Sequence, residues 1–114
     1  MLFQIIRNDI IRVKSDAIVN TANHGVTVGN GTDSAIYYAA GKEQLLTKRK
    51  KIGIILPGQV AFTNAFYLDA KYIIHIAGPS WIDGNHKERE ILHSYYEKAL
   101  NLAAKLECKS IAFR

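Results

Sequence analysis

The chain has 114 residues, which suffices for one domain built around one hydrophobic core. Hydrophobic residues make up 48% of it and charged residues 22%, a composition that excludes disordered and fibrous proteins. Its formal charge of +5 favours an anionic partner without identifying one.

The first half of the chain predicts two strands followed by two helices. The apolar run Ala17-Ile18-Val19 is typical of a strand buried on both faces of an α/β sheet. Either Thr32 or Asp33 can cap the helix that follows the glycine-bearing loop. In chain order the predicted elements are a strand over 2–8, a strand over 17–19, an irregular loop over 24–31, a helix over 34–40 that ends at Gly41, and a helix over 42–51.

The second half predicts a strand over 59–63, a strand over 72–77, a long helix, and a strand that begins at Ser110. Strands that alternate with helices indicate a sheet whose ligand crevice lies beyond the carboxyl ends of its strands. The apolar residues of the long helix recur at helical spacing, so we expect them to face the sheet. They are Leu92, Tyr95, Tyr96, Ala99, Ala103 and Leu106.

Polar and glycine residues follow the first two predicted strands. Asp9, Asn23 and the loop over 25–31 all come at such strand ends. Glycines allow backbone N–H groups to approach a phosphate, and the helix N-terminus that follows adds a favourable dipole. The spacing fits neither the Walker loop nor the dinucleotide fingerprint. By itself, the loop is as consistent with an ordinary tight connection as with a phosphate site.

Three segments carry a resemblance to a known family. Asn8-Asp9-Ile10 stands where that family has a Gly-Asp-Ile turn, and residues 15–23 are similar to its Val-Asp-Ala-Ile-Val-Asn-Ala-Ala-Asn signature. Residues 29–41 look like its glycine loop and following helix, in the same order and spacing. On these motifs the sequence resembles the macro domain family, and weaker similarity continues over the rest of the chain.

The resemblance implies a fold of three layers, a mixed α/β sheet with helices on both faces. We expect residues 1–114 to form a single, incomplete macro domain that lacks the C-terminal strands and helix of the family. The family continues past a motif like 110–113 into a second glycine-rich loop, whereas this sequence ends at Arg114. Because an incomplete sheet leaves edges uncovered, we also expect a homodimer or a larger assembly.

The resemblance also implies a ligand, ADP-ribose or an ADP-ribosylated protein, and no cofactor. Asp9 would accept a hydrogen bond from the adenine amino group, and the backbone of Ile10 would contact the same ring. Asn23 would bind the distal ribose. The glycine loop would cradle the diphosphate with Gly29, Asn30, Gly31 and Thr32.

In the hydrolytic branch of the family an Asn and an Asp near the distal ribose help to activate water. Asn23 and Asp33 occupy these positions, although helix capping explains Asp33 equally well. Two departures concern this activity: Asn30 stands where hydrolytic members carry glycine, and Tyr37 replaces a common histidine. The expected function is therefore ADP-ribose binding. The alternatives are an active ADP-ribosyl hydrolase or O-acetyl-ADP-ribose deacetylase, an inactive relic, and a nucleic-acid-binding module.

Other conspicuous residues are assigned to structure. His75, in an apolar strand, is expected to be a core histidine with one hydrogen bond. The basic run 48–51 suits a solvated helix end, so a nucleic-acid partner is not expected. Tyr37, Tyr38, Tyr95 and Tyr96 have the spacing of packing residues rather than of a stacking surface. No metal site is expected, because the four histidines are scattered: His24, His75, His86 and His93.

Two remaining features concern the cellular environment. No apolar run approaches the roughly 20 residues of a membrane span, and the N-terminus lacks the features of a secretion signal. Cys108 is the single cysteine, which excludes an internal disulfide and favours a small buried side chain at a helix end. We therefore expect a cytoplasmic protein without membrane contact.

Overall fold

The computed structural model describes residues 4–7, 11–22, 32–55, 59–77 and 88–113. Most of the predicted elements are confirmed to within a few residues, but the second strand continues to Ala22 instead of ending at Val19. In chain order the elements are β1 (Gln4–Arg7), β2 (Ala17–Ala22), α1 (Thr32–Ala40), α2 (Lys42–Ile52), β3 (Val60–Asn64), β4 (Tyr72–Ala77), α3 (Glu88–Lys105) and β5 (Ser110–Phe113).

The five strands form one sheet in the order β1-β5-β2-β4-β3. The pairs β1 with β5, β5 with β2, and β2 with β4 are all parallel. Only β3 is antiparallel to its neighbour, and it lies at one edge. The sheet is therefore mixed, and the carboxyl ends of four strands point the same way.

Helices cover both faces of this sheet, as expected. On one face, α1 and α2 pack on Ile18 and Ile73 through apolar residues that include Ile36, Tyr37 and Leu45. On the other face, α3 packs on side chains that alternate with these along the strands. That second cluster comprises Ala17, Val19, Ile74, Ile76, Tyr95, Ala99, Ala103, Cys108 and Ile111. The predicted three-layer architecture is confirmed.

The structure confirms the packing role of three of the four tyrosines. Tyr37 and Tyr95 are buried, and Tyr96, although 41% exposed, packs against Phe113 of β5 with 5.1 Å between the ring centres. The prediction is wrong for Tyr38, which is 65% exposed. Neighbouring helical residues point about 100° apart, so Tyr38 turns towards solvent when Tyr37 faces the sheet.

The prediction of a solvated helix end at 48–51 is correct for the three lysines and wrong for Arg49. Lys48, Lys50 and Lys51 are exposed, whereas Arg49 is 1% exposed. Its guanidinium donates to the carbonyl of Gly53, one turn further along the chain. Helical spacing explains the difference, because Arg49 lies four residues after the buried Leu45.

Asp16 joins the starts of three parallel strands. Its carboxylate accepts from the amide of Lys109 at 2.7 Å, and its own amide donates to Ser110 Oγ at 2.8 Å. Its carbonyl accepts from the amides of Lys71 and Tyr72. Because β2, β4 and β5 begin at this residue, Asp16 fixes their register and so the position of their carboxyl ends.

We expect Asp16→Ala to lower the free energy of unfolding by about 1.5–3 kcal/mol, the range for a hydrogen bond to a charged group. The ion pair with Lys71 adds little, since it is 3.9 Å long and the Lys71 side chain is 72% exposed. Urea unfolding measures the effect. Asp69→Ala, at a neighbouring exposed carboxylate, is the control, and equal losses in the two variants would contradict this role of Asp16.

No helix in the described ranges is both long and apolar enough to cross a membrane. Cys108 is buried directly after α3, as predicted. Burial, and then the negative charge of Asp16, raise the pKa of its thiol. The thiol is therefore protonated and unreactive at neutral pH.

Candidate functional site

The carboxyl ends of the parallel strands share one edge of the sheet. β2 and β4 run in register to their last residues, where Ala22 lies opposite Ala77. On the other side, β1 and β5 end together at Arg7 and Phe113. Segments that follow these strands in the chain start at this edge, which is where ligands of α/β sheets bind.

The N-terminus of α1 points towards the same edge. The other end of α1 is held at the opposite edge, because the Ala40 carbonyl accepts from the Tyr67 amide at 3.2 Å. Tyr67 follows β3 closely, and β3 ends at Asn64, opposite the first residue of β4. α1, nine residues and therefore about 13 Å long, runs from there towards the strand ends. Its positive dipole end favours an anion at that edge.

Most of the predicted site residues lie outside the residues that the structure describes: Asp9, Ile10, Asn23, Gly29, Asn30 and Gly31. They are close in sequence to described elements, however. Asp9 comes two positions after the end of β1, Asn23 directly follows β2, and Gly31 directly precedes α1. Thr32 and Asp33 are the first two residues of α1. The structure thus brings to one edge the elements that carry these segments.

A buried polar pair lies beneath this edge, on the face covered by α1 and α2. His75 is fully buried in β4, and its Nε2 lies 2.9 Å from Thr63 Oγ1 of β3. Among the described residues its Nδ1 has no hydrogen-bond partner. Burial, and secondarily the charge of Arg49, lower the pKa of His75 to about 3. His75 is therefore neutral at physiological pH, and its burial and its one hydrogen bond confirm the predicted core histidine.

Asn20 extends this buried polar layer across the sheet to the neighbouring strand β2. It is fully buried in β2 and lies opposite His75 in the register of the two strands. The sequence signature contained Asn20 but gave it no separate role, because a polar residue at a strand end usually belongs to a turn. Asn20 is buried three positions before Asn23. Contacts inside the protein therefore hold the end of β2 in place.

Hollows lined by described residues lie away from the strand ends. One, of about 410 Å³, lies at the amino edge beside Asp16 and Ser110. Another, of about 560 Å³, lies between β3 and α3, and its lining includes Phe62 and Lys105. The described residues contain no group of three or more potential metal ligands.

The sequence matches the family model for the macro domain over residues 19–114. It is 42% identical to a macro domain-containing protein of Chlorobaculum tepidum, and the match covers 99% of this chain and 65% of that protein. It is 45% identical to a Citrobacter rodentium protein named O-acetyl-ADP-ribose deacetylase, over 96% of this chain and 63% of that one. The chain thus spans slightly less than two thirds of the length of these curated relatives.

Solved structures give the same result. The macrodomain of Oceanobacillus iheyensis with ADP superposes with a TM-score of 0.86 at 34% identity, covering 96% of this chain and 60% of that one. The Trypanosoma brucei macrodomain in complex with ADP superposes with a TM-score of 0.83 at 31% identity, covering 96% and 44%. The match in fold therefore extends over nearly the whole chain.

Proposed function

Because this chain belongs to the macro domain family, we propose that it binds ADP-ribose or an ADP-ribose derivative at the carboxyl edge of its sheet. Macrodomains of Oceanobacillus iheyensis and Trypanosoma brucei have been solved with ADP, and a variant of the former with ADP-ribose. The observation that carries the proposal is the convergence of four parallel strand ends with the N-terminus of α1. This arrangement suits an anionic nucleotide diphosphate.

In this proposal the recognition residues are those that follow the strand ends. Asp9 accepts a hydrogen bond from the adenine amino group, and Ile10 contacts the ring through its backbone. Asn23 binds the distal ribose. The backbone of Gly29, Asn30, Gly31 and Thr32 binds the diphosphate, with the helix dipole behind it. A carboxylate suits the position of Asp9, because an ionised carboxylate can only accept.

We expect titration calorimetry to show binding of ADP-ribose by the unaltered protein and binding about 10- to 100-fold weaker by Asp9→Ala. The expected loss corresponds to one hydrogen bond to a charged group. Asp69→Ala, which removes a carboxylate at the opposite edge, should leave the affinity unchanged.

The hypoxanthine analogue of ADP-ribose sharpens this test, because it lacks the amino group that Asp9 is proposed to recognise. The unaltered protein should bind the analogue about as weakly as Asp9→Ala binds ADP-ribose. Asp9→Ala should not distinguish the two ligands. No heat and no thermal stabilisation with ADP-ribose would overturn the proposal.

A second candidate function is hydrolysis of an ADP-ribose ester or glycosidic link. The Citrobacter rodentium relative carries the name O-acetyl-ADP-ribose deacetylase. Variants of the Oceanobacillus iheyensis macrodomain have been solved with an Asn or an Asp replaced by Ala, at positions ten apart. Asn23 and Asp33 have the same separation. In this hypothesis they hold the distal ribose and a water molecule.

The whole chain is proposed to act as one domain in the cytoplasm.

A further inference from the structure

Two of the most exposed aromatic side chains lie at the junction of α1 and α2. Tyr38 of α1 is 65% exposed, and Tyr67, in the loop between β3 and β4, is 78% exposed. The Tyr67 ring packs against Gly41, since a Cβ at Gly41 would lie 3.2 Å from its Cδ2. On the neighbouring residue, Lys42 Nζ lies 5.4 Å from the centre of the Tyr38 ring. The two tyrosines therefore lie on either side of Gly41 and Lys42, where α1 ends and α2 begins.

Tyr67 is exposed although its backbone is fixed. Its amide donates to the carbonyl of Ala40, and the next amide, that of Leu68, donates to Ala65 at 3.0 Å. Ala65 and Leu68 are both buried in the core on this face. The ring is thus presented to solvent from an anchored turn. An aromatic ring on a fixed backbone loses little conformational entropy when a partner binds it.

Positive charge extends from this junction along α2. Lys42 opens α2 at the junction, and the exposed Lys50 and Lys51 lie in its last turn, at its other end. α2 carries a single acidic residue, Glu43, against five basic residues. Its 11 residues give a length of about 16 Å, so the lysines extend the positive charge over several nucleotide phosphates.

We propose that this tyrosine-lysine surface, formed by Tyr38, Tyr67, Lys42, Lys50 and Lys51, binds single-stranded nucleic acid. Aromatic rings stack on bases of any identity, and lysines at one side hold the backbone phosphates. The sequence assigned the basic run to a solvated helix end and Tyr38 to packing. The structure changes the interpretation, because Tyr38 and Tyr67 are exposed and the ammonium of Lys42 lies 5.4 Å from the centre of the Tyr38 ring.

The surface is distinct from the proposed ADP-ribose crevice. Gly41 follows the C-terminal end of α1, and Tyr67 lies at the amino edge of the strands. The crevice lies at the opposite end of α1. The two sites can therefore be tested separately in one protein.

The experiment measures fluorescence anisotropy with a labelled deoxythymidine strand of about ten nucleotides and with an abasic strand of equal length. We expect Tyr38→Ala and Tyr67→Ala each to weaken binding of the base-containing strand by at least about fivefold. The double variant Lys50→Glu and Lys51→Glu should also flatten the plot of log affinity against log salt by about 1.4.

Matched controls lie on α3, which covers the other face of the sheet. Tyr96→Ala removes a partly exposed tyrosine there, which packs against Phe113, and Lys98→Glu with Lys105→Glu changes the net charge by the same amount. These variants should bind as the unaltered protein does. Equal weakening by both lysine pairs would overturn the proposal in favour of non-specific attraction by the net charge.

Four further outcomes would overturn the proposal. Equal affinity for the abasic strand would exclude stacking, and equal affinity for polyglutamate would indicate an acidic protein partner instead. Competition by ADP-ribose would indicate that the strand binds in the crevice. Absence of binding to the deoxythymidine strand at low salt would also overturn the proposal. The ADP-ribose titration described above shows independently whether the same preparation is folded and active.

Discussion

Asp33→Asn is expected to lower turnover of O-acetyl-ADP-ribose by about 100-fold or more, if the chain hydrolyses this compound. A group that positions or activates water contributes about 10²–10⁴ to the rate. Asparagine caps a helix as well as aspartate does, but it cannot accept a proton. This substitution therefore separates the proposed catalytic role from the structural role at the start of α1. Steady-state release of acetate measures the rate.

The control is Asp33→Ala, which removes both roles. It should show the same loss of turnover together with a lower melting temperature, whereas Asp33→Asn should keep the melting temperature and the affinity for ADP-ribose. Full activity of Asp33→Asn would contradict the catalytic role of Asp33 and leave helix capping as its role. A lack of turnover in the unaltered protein would reject the hydrolase hypothesis and leave the binding proposal intact.

Acid is expected to destabilise the protein through His75. Its pKa is about 3 in the folded protein, against about 6.5 in an unfolded chain. Between these values the unfolded chain binds the proton and the folded protein does not. Stability is therefore fully present above about pH 6.5 and is lost as the pH falls, by up to about 1.4 kcal/mol per pH unit from this group.

His75→Gln should remove this part of the pH dependence. Glutamine can still pair with Thr63 and does not titrate. Urea unfolding between pH 7 and pH 4.5 should give a flatter profile for the variant than for the unaltered protein, whatever its stability at pH 7. His93→Gln, at an exposed histidine of α3, should leave the profile unchanged. Parallel profiles for His75→Gln and the unaltered protein would contradict the prediction.

The sequence was sufficient for the elements of the fold because their periodicities are local. The run at Ala17 reads as a doubly buried strand, and all three of its apolar residues are buried in the sheet. The spacing of Tyr95, Ala99 and Ala103 likewise identifies the face of α3 that packs. The sequence could not show which residue of an adjacent pair, such as Tyr37 and Tyr38, faces the sheet. That choice depends on how far the helix is rotated about its axis.

The functional site could be predicted less completely than the fold from local sequence patterns. Asn23 and Asp33 were chosen from a resemblance, and their roles stay predictions, as do the homodimer and the absence of a cofactor. Two contributions were missed altogether. Asp16 stood within the recognised signature, yet its partners Lys109 and Ser110 are more than ninety residues away. The charge of Arg49 predicts an exposed side chain, but Arg49 lies on the buried face of α2 and is buried.

The pairing of β1 with β5 has a consequence during synthesis on the ribosome. Gln4 lies opposite Ser110, so β1 finds this neighbour only when β5, more than a hundred residues later, has emerged. At about 5–20 residues per second, the delay is on the order of 5–20 s. Throughout that interval one side of the growing sheet has a β1 segment without its strand partner.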